Sequence, residues 1–92
     1  MIVRISTEGQ YELPDGLREE LNEIDNRVVV AVEADDDASF RHSWGELLEL
    51  VRSRGTALAA DDLRESELIL PPPDLTLAEA EREFTGDGLL PD

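Results

Sequence analysis

Apolar residues at the start of the chain alternate with polar ones. Val3 and Ile5 share one side of the β-branched run Met1-Ile2-Val3-Arg4-Ile5, and Tyr11 and Leu13 share one side of Gln10-Tyr11-Glu12-Leu13. Ser6-Thr7-Glu8-Gly9 between them reads as a turn, in which Gly9 is free to take positive φ. The pattern predicts an antiparallel hairpin with Tyr11 and Leu13 facing the core. Pro14-Asp15-Gly16 ends the second strand, and Asp15 is the expected helix N-cap. The period then changes. Leu17, Leu21, Ile24, Val28, Ala31 and Val32 follow at steps of four, three, four, three and one, which is one face of a helix continuing to about Ala34. Val28, Val30 and Val32 would also suit a strand, but the length of the periodic stretch decides for a helix.

Asp35-Asp36-Asp37 breaks that helix, and Asp37 is the expected cap of a second one, where its charge favours the positive N-terminal end. Phe40, Trp44, Leu47, Leu48 and Val51 recur at helical spacing, Arg52 and Arg54 complement the C-terminal dipole, and Gly55 is the expected stop. Two long helices joined by a short acidic turn make a helical hairpin. Residues 56–67 read as connector, anchored by Leu58 and Leu63. Leu68-Ile69-Leu70 reads as a short buried strand, and Pro71-Pro72-Pro73 as extended chain. Thr76-Leu77-Ala78-Glu79 is a capping box that opens a short helix to about Phe84. Gly86-Asp87-Gly88 turns, and Leu89-Leu90 offers a last edge contact. The predicted fold class is α+β in one domain spanning 1–92. A small antiparallel sheet, the N-terminal hairpin plus the strand at 68–70, packs on the hairpin of two long helices, with a short C-terminal helix.

Charge changes the picture most. The 92 residues hold 23 Asp and Glu against 8 basic residues, a net charge of −15, and every basic residue is Arg. Such a chain repels nucleic acid and anionic lipid, whose phosphates call for Lys and Arg. It suits a basic protein partner. Abundant carboxylates without Lys also resemble adaptation to high salt, which screens their repulsion; a preference for Arg codons in a GC-rich genome is the alternative. The absence of Cys excludes disulfides, zinc thiolates and thiol catalysis, and a single His excludes a site needing two His ligands from one chain. The opening lacks a basic segment followed by a long apolar run, and no apolar stretch approaches the roughly 20 residues of a membrane span, so the expected location is cytoplasmic.

The candidate sites each have a structural alternative. Asp35-Asp36-Asp37 and Asp61-Asp62 could hold a hard cation, but a calcium loop counted from Asp35 places Phe40 where the central Gly belongs; capping and solvated turns account for them better. His42 and Ser43 are helix neighbours pointing about 100° apart, so they do not face each other as a catalytic pair. Trp44 is either a partner anchor or core. Pro71-Pro72-Pro73 is either a polyproline ligand or a rigid link. No Gly-rich phosphate loop, paired catalytic carboxylate motif or nucleophile elbow appears, so no catalytic, cofactor or metal residue is assigned and an enzyme is not expected.

Several segments together resemble a small family, the PspA-associated proteins (PspAA). Met1-Ile2-Val3-Arg4-Ile5 and Glu8-Gly9-Gln10-Tyr11-Glu12-Leu13-Pro14 resemble its opening, and Leu21-Asn22-Glu23-Ile24-Asp25 its Leu-Asn-x-Leu-Asp step. Phe40 to Val51 looks like its second helix, the run from Ser66 to Leu77 its Ser-Asp-Leu-Ile-Leu-Pro-Pro-x-Asp-x-Thr-Leu segment, and Gly88-Leu89-Leu90-Pro91 its ending. Glu67, Leu75 and Ala34 depart from the usual Asp, Ala and Gly. The resemblance implies a partner and not a reaction: phage shock protein A, a coiled-coil membrane-remodelling protein related to the ESCRT-III group. It implies a non-enzymatic accessory of the envelope stress response, cytoplasmic and brought to the inner face of the cell membrane only through that partner. Tyr11 and Trp44 are the expected partner-binding anchors. The competing readings are an acidic nucleic-acid mimic that inhibits a DNA-binding protein, and a small carboxylate- or metal-dependent enzyme.

Overall fold

In the computed structural model, which describes residues 1–83, β1 (Ile2–Ile5) and β2 (Gly9–Glu12) form the predicted hairpin. Val3 lies opposite Tyr11 and Ile5 opposite Gly9, and Val3, Ile5 and Leu13 are buried. The turn passes through Thr7 at φ +69° and Gly9 at φ +144°, so the conformational freedom of Gly9 is used. Tyr11 is half-buried, while its neighbour Gln10 is the more deeply buried of the two.

Asp15 does not cap a helix. It opens a short 3-10 turn, Asp15–Leu17, and its carboxylate accepts from the chain's amino terminus at 3.2 Å. That cation lies beside Asp15 because the same amine donates to Leu13 O at 2.9 Å. Helix α1 (Arg18–Glu33) follows and buries Leu21, Ile24, Val28, Ala31 and Val32, so the helical reading of the valine-rich half holds. Its end is a Schellman motif. The Asp36 and Asp35 amides donate to Ala31 O and Val32 O, with Asp35 left-handed at φ +54°. The cap of α2 (Asp37–Arg54) is Asp36, one residue earlier than expected. Asp36 accepts from the Ser39 amide at 3.1 Å and the Ser39 hydroxyl at 2.8 Å, because the motif consumes Asp35 and leaves Asp36 extended.

Gly55 ends α2 as expected, for a reason the sequence does not carry. Its φ of −90° is open to any residue, but a Cβ there would stand 2.5 Å from Val51 O and 2.7 Å from Leu13 Cδ2. The helix end is pressed onto β2, and only a hydrogen fits between them.

The sheet is mixed and four-stranded, in the order β3-β2-β1-β4, and this corrects the antiparallel expectation. β3 (Thr56–Ala57) pairs antiparallel with β2, and β4 (Leu68–Leu70) runs parallel to β1, with Val3 opposite Leu68 and Ile5 opposite Leu70. β3 and β4 therefore point the same way from opposite edges, and parallel strands require a crossover between them. Residues 58–67 supply it across the sheet face away from the helices. Gln10, projecting from that face, donates to Ser66 Oγ at 2.6 Å and Arg64 O at 3.1 Å. Of the two leucines expected to anchor the crossover, Leu58 is half-buried and its amide donates to Gln10 O at 2.9 Å, whereas Leu63 is 94 % exposed and anchors nothing.

Both long helices pack on the other face. Phe40, Trp44, Leu47, Leu48 and Val51 of α2 join the α1 residues and the inward side chains of β1 and β4 in one core. Pro71 is buried, and the Leu75 amide closes a turn on Pro72 O, so the prolines form a tight link to α3 (Leu77–Glu83). The capping box is present: Thr76 N donates to Glu79 Oε1 at 3.0 Å, and Glu79 N donates to Thr76 Oγ1 at 3.2 Å. The helix end expected at Phe84, the turn at Gly86-Asp87-Gly88 and the edge contact of Leu89-Leu90 lie outside the described residues.

Candidate functional site

Of the carboxylates weighed as cation ligands, Asp36, Asp37 and Asp62 are engaged by the chain itself. Asp36 caps α2, and the Ser39 amide and hydroxyl that bond to it hold its carboxyl below the usual range. Asp37 pairs with Arg41 one turn on. Asp62 accepts from Arg64, whose guanidinium lowers its pKa. Glu79 is lowered by the Thr76 amide of the capping box. Glu81 is shifted the other way: the neighbouring Asp35 carboxyl, with which it can share a proton, raises its pKa. Among the described residues, no group of three His, Asp or Glu side chains could hold a metal ion.

His42 and Ser43 diverge as the helix geometry requires. The Ser43 hydroxyl turns inward to Ser39 O and Phe40 O, while His42 is exposed, with Nε2 2.9 Å from Glu46 Oε1. The two expected anchors lie in different places. Trp44 is 3 % exposed and stacks on Phe40 with ring centroids 6.5 Å apart, so it is core and not an anchor presented to a partner. Tyr11 is half-buried and donates to Glu8 Oε2 at 2.8 Å. Arg52 Nε donates to the same oxygen at 2.9 Å. The Arg52 and Tyr11 donors bring the Glu8 carboxyl down to about 2, and the Glu8 carboxylate in turn raises the Tyr11 phenol. Glu8 thus ties the β1–β2 turn to α2 through Arg52, and Tyr11 braces it from β2.

A concave surface lies elsewhere, on the side of the helical hairpin. A groove of about 540 Å³ runs between α1 and α2. Its floor is Val30, Ala31, Ala34 and Ala38. Arg27 and His42 converge on Glu46 across one end, with the Arg27 guanidinium 3.4 Å and His42 Nε2 2.9 Å from the carboxylate. Val30 is 66 % exposed. Sequence reasoning missed this surface because Val30 was weighed only as part of a helix-or-strand choice. The available signal was an aliphatic residue off the stripe that Val28 and Val32 define.

The sequence profile described as PspAA: PspA-Associated protein matches residues 1–92. The chain belongs to the PspAA family. No curated protein and no solved structure matches it. No helix among the described residues is long and apolar enough to cross a membrane.

Proposed function

We propose that this PspAA protein is a non-enzymatic accessory that binds a PspA-type coiled-coil, membrane-remodelling protein in the envelope stress response. The observation that carries the reading is the family match over the whole chain. The charge supports it: at −15 the chain is repelled by anionic lipid, so its route to the inner face of the membrane runs through a partner with basic surface. Carboxylates spent on helix caps and ion pairs lend no support to a metal-dependent hydrolase. They also lend none to a phosphate-mimicking row.

The test is a pull-down from native cytoplasm with the folded protein as bait, at low and high salt, with bound proteins identified by mass spectrometry. Enrichment of a PspA-type protein that weakens as charges are screened is the expected result. Recovery of DNA-binding proteins, or of nothing on bait shown to be folded, overturns the reading.

A further inference from the structure

We infer that the groove between α1 and α2 is the docking surface for a basic amphipathic helix of the PspA-type partner. The inference rests on the accessory reading above and adds the surface and the shape of the ligand.

The groove offers apolar contact where the rest of the hairpin is charged. Val30 is two-thirds exposed, and the small side chains of Ala31, Ala34 and Ala38 around it leave room for a partner's side chains. Its walls are two α-helices whose backbone hydrogen bonds are made internally, so it offers no strand edge for an extended peptide to pair with. A helix needs none. It inserts an apolar row at i, i+3 or i+4, and i+7, and lies along the groove as a third helix.

Charge selects which helix. Glu46 is the carboxylate at the wall, and Arg27 and His42 both already point at it. Extending the groove by one helical turn adds Glu23 on α1 and Glu49 on α2, both exposed, and Asp36 stands at its other end. The flanks are acidic, and the Arg27 guanidinium and the His42 ring are already engaged by Glu46. The fitting occupant is apolar along one row and carries Lys or Arg on both sides of it. A second copy of this chain is disfavoured by the same charges, since it would bring another −15 to an acidic face.

The test is titration of the purified PspA-type partner, by calorimetry, into wild type and three variants. Val30→Glu puts a carboxylate on the groove floor at an exposed position, so the fold is retained. It is expected to weaken binding at least about tenfold with an unchanged circular dichroism spectrum. The double variant Glu23→Lys with Glu49→Lys, which reverses the flanks, is expected to weaken binding by about the same factor, with steeper loss at low salt. Ile69→Gln, on the opposite side of the molecule and 60 % exposed, is the control and is expected to bind as wild type does. Wild-type affinity retained by both groove variants, or lost only in Ile69→Gln, overturns the groove while leaving the accessory function standing. No binding by the wild type overturns the function and the groove together.

Discussion

Gly55 sets the clearest test of the packing, because the same chemical change at a second glycine should have the opposite sign. In Gly55→Ala the new methyl carbon would stand 2.5 Å from Val51 O, 2.7 Å from Leu13 Cδ2 and 3.1 Å from Tyr11 Cβ. The leucine methyl can rotate away, but the carbonyl cannot. It is backbone of α2, and it accepts the Gly55 amide at 2.9 Å. Relief means moving the helix end off β2 and lengthening that bond. Overpacking of this kind costs about 1–3 kcal/mol, and a lost capping hydrogen bond adds about 1 kcal/mol. The sum, about 2–4 kcal/mol, is a large share of the stability of a domain this size, and a fall in Tm of about 10–20 °C should follow. Gly45 sits mid-helix in α2, where an added Cβ meets nothing within 4 Å. Gly45→Ala should therefore gain about 0.5–1 kcal/mol from helix propensity alone. Urea unfolding followed by circular dichroism at fixed salt is the right assay, since guanidinium would screen the acidic surface as well as denature. A Gly55→Ala midpoint within about 0.5 kcal/mol of wild type, or two alanines with effects of the same sign, would refute the close approach of α2 to β2.

Three further outcomes are expected. Glu8 has its folded pKa depressed from 4.5 to about 2 by Arg52 and Tyr11, so its stabilisation is complete above pH 4.5 and is lost as pH falls toward 2. Partial exposure reduces the contribution to about 1 kcal/mol, and the stability gap between wild type and Glu8→Gln should shrink from pH 6 to pH 3; a constant gap would dismiss the network. Gln10→Ala should free the crossover, raising trypsin cleavage after Arg64 severalfold relative to cleavage after Arg54; an unchanged ratio would show that the Gln10 bonds do not hold it. Sodium chloride should raise Tm monotonically, because the Debye length falls from about 10 Å at 0.1 M to about 3 Å at 1 M and removes long-range repulsion before it weakens contacts near 3 Å; a Tm that falls with salt would mean the ion pairs outweigh the net charge.

What the sequence made legible follows from how local each signal is. The hairpin, the two helices and the capping box are each written within one or two turns of chain, by alternation, by 3.6-residue periodicity and by the Thr76–Glu79 spacing. The direction of β4 is not local. Leu68-Ile69-Leu70 reads the same whichever way it pairs, and its parallel alignment on β1 is decided by where 58–67 crosses the sheet. The burial of Gln10 was hidden for a related reason. Its alternation places it on the face away from the helices, and only the crossover laid on that face buries it and supplies acceptors for its amide. Of the expected anchors, Trp44 was legible as core from its stripe. The groove at Val30 was not, because it is made by two helices lying side by side and by what neither of them covers.

The same contrast bears on the arginines, which a composition count treats only as a deficit. Arg27 joins α1 to α2 through Glu46 at 3.4 Å, and Arg52 joins α2 to the β1–β2 turn through Glu8 at 2.9 Å. Arg64 joins the crossover to β2 through Glu12 at 3.1 Å, and Arg18 joins the start of α1 to the end of the crossover through Glu67 at 3.7 Å. Each of these four bridges spans two segments that no covalent turn connects directly, except where α1 leads into α2. Individually they are worth little at the surface, about 0–1 kcal/mol. Their value is positional: in a chain with 23 carboxylates, an arginine placed at a seam lowers the repulsion where two acidic elements must approach. With these cations committed inward, the outer flanks of the helical hairpin keep their negative charge. A partner that supplies cations there would meet a surface whose own arginines are already in use.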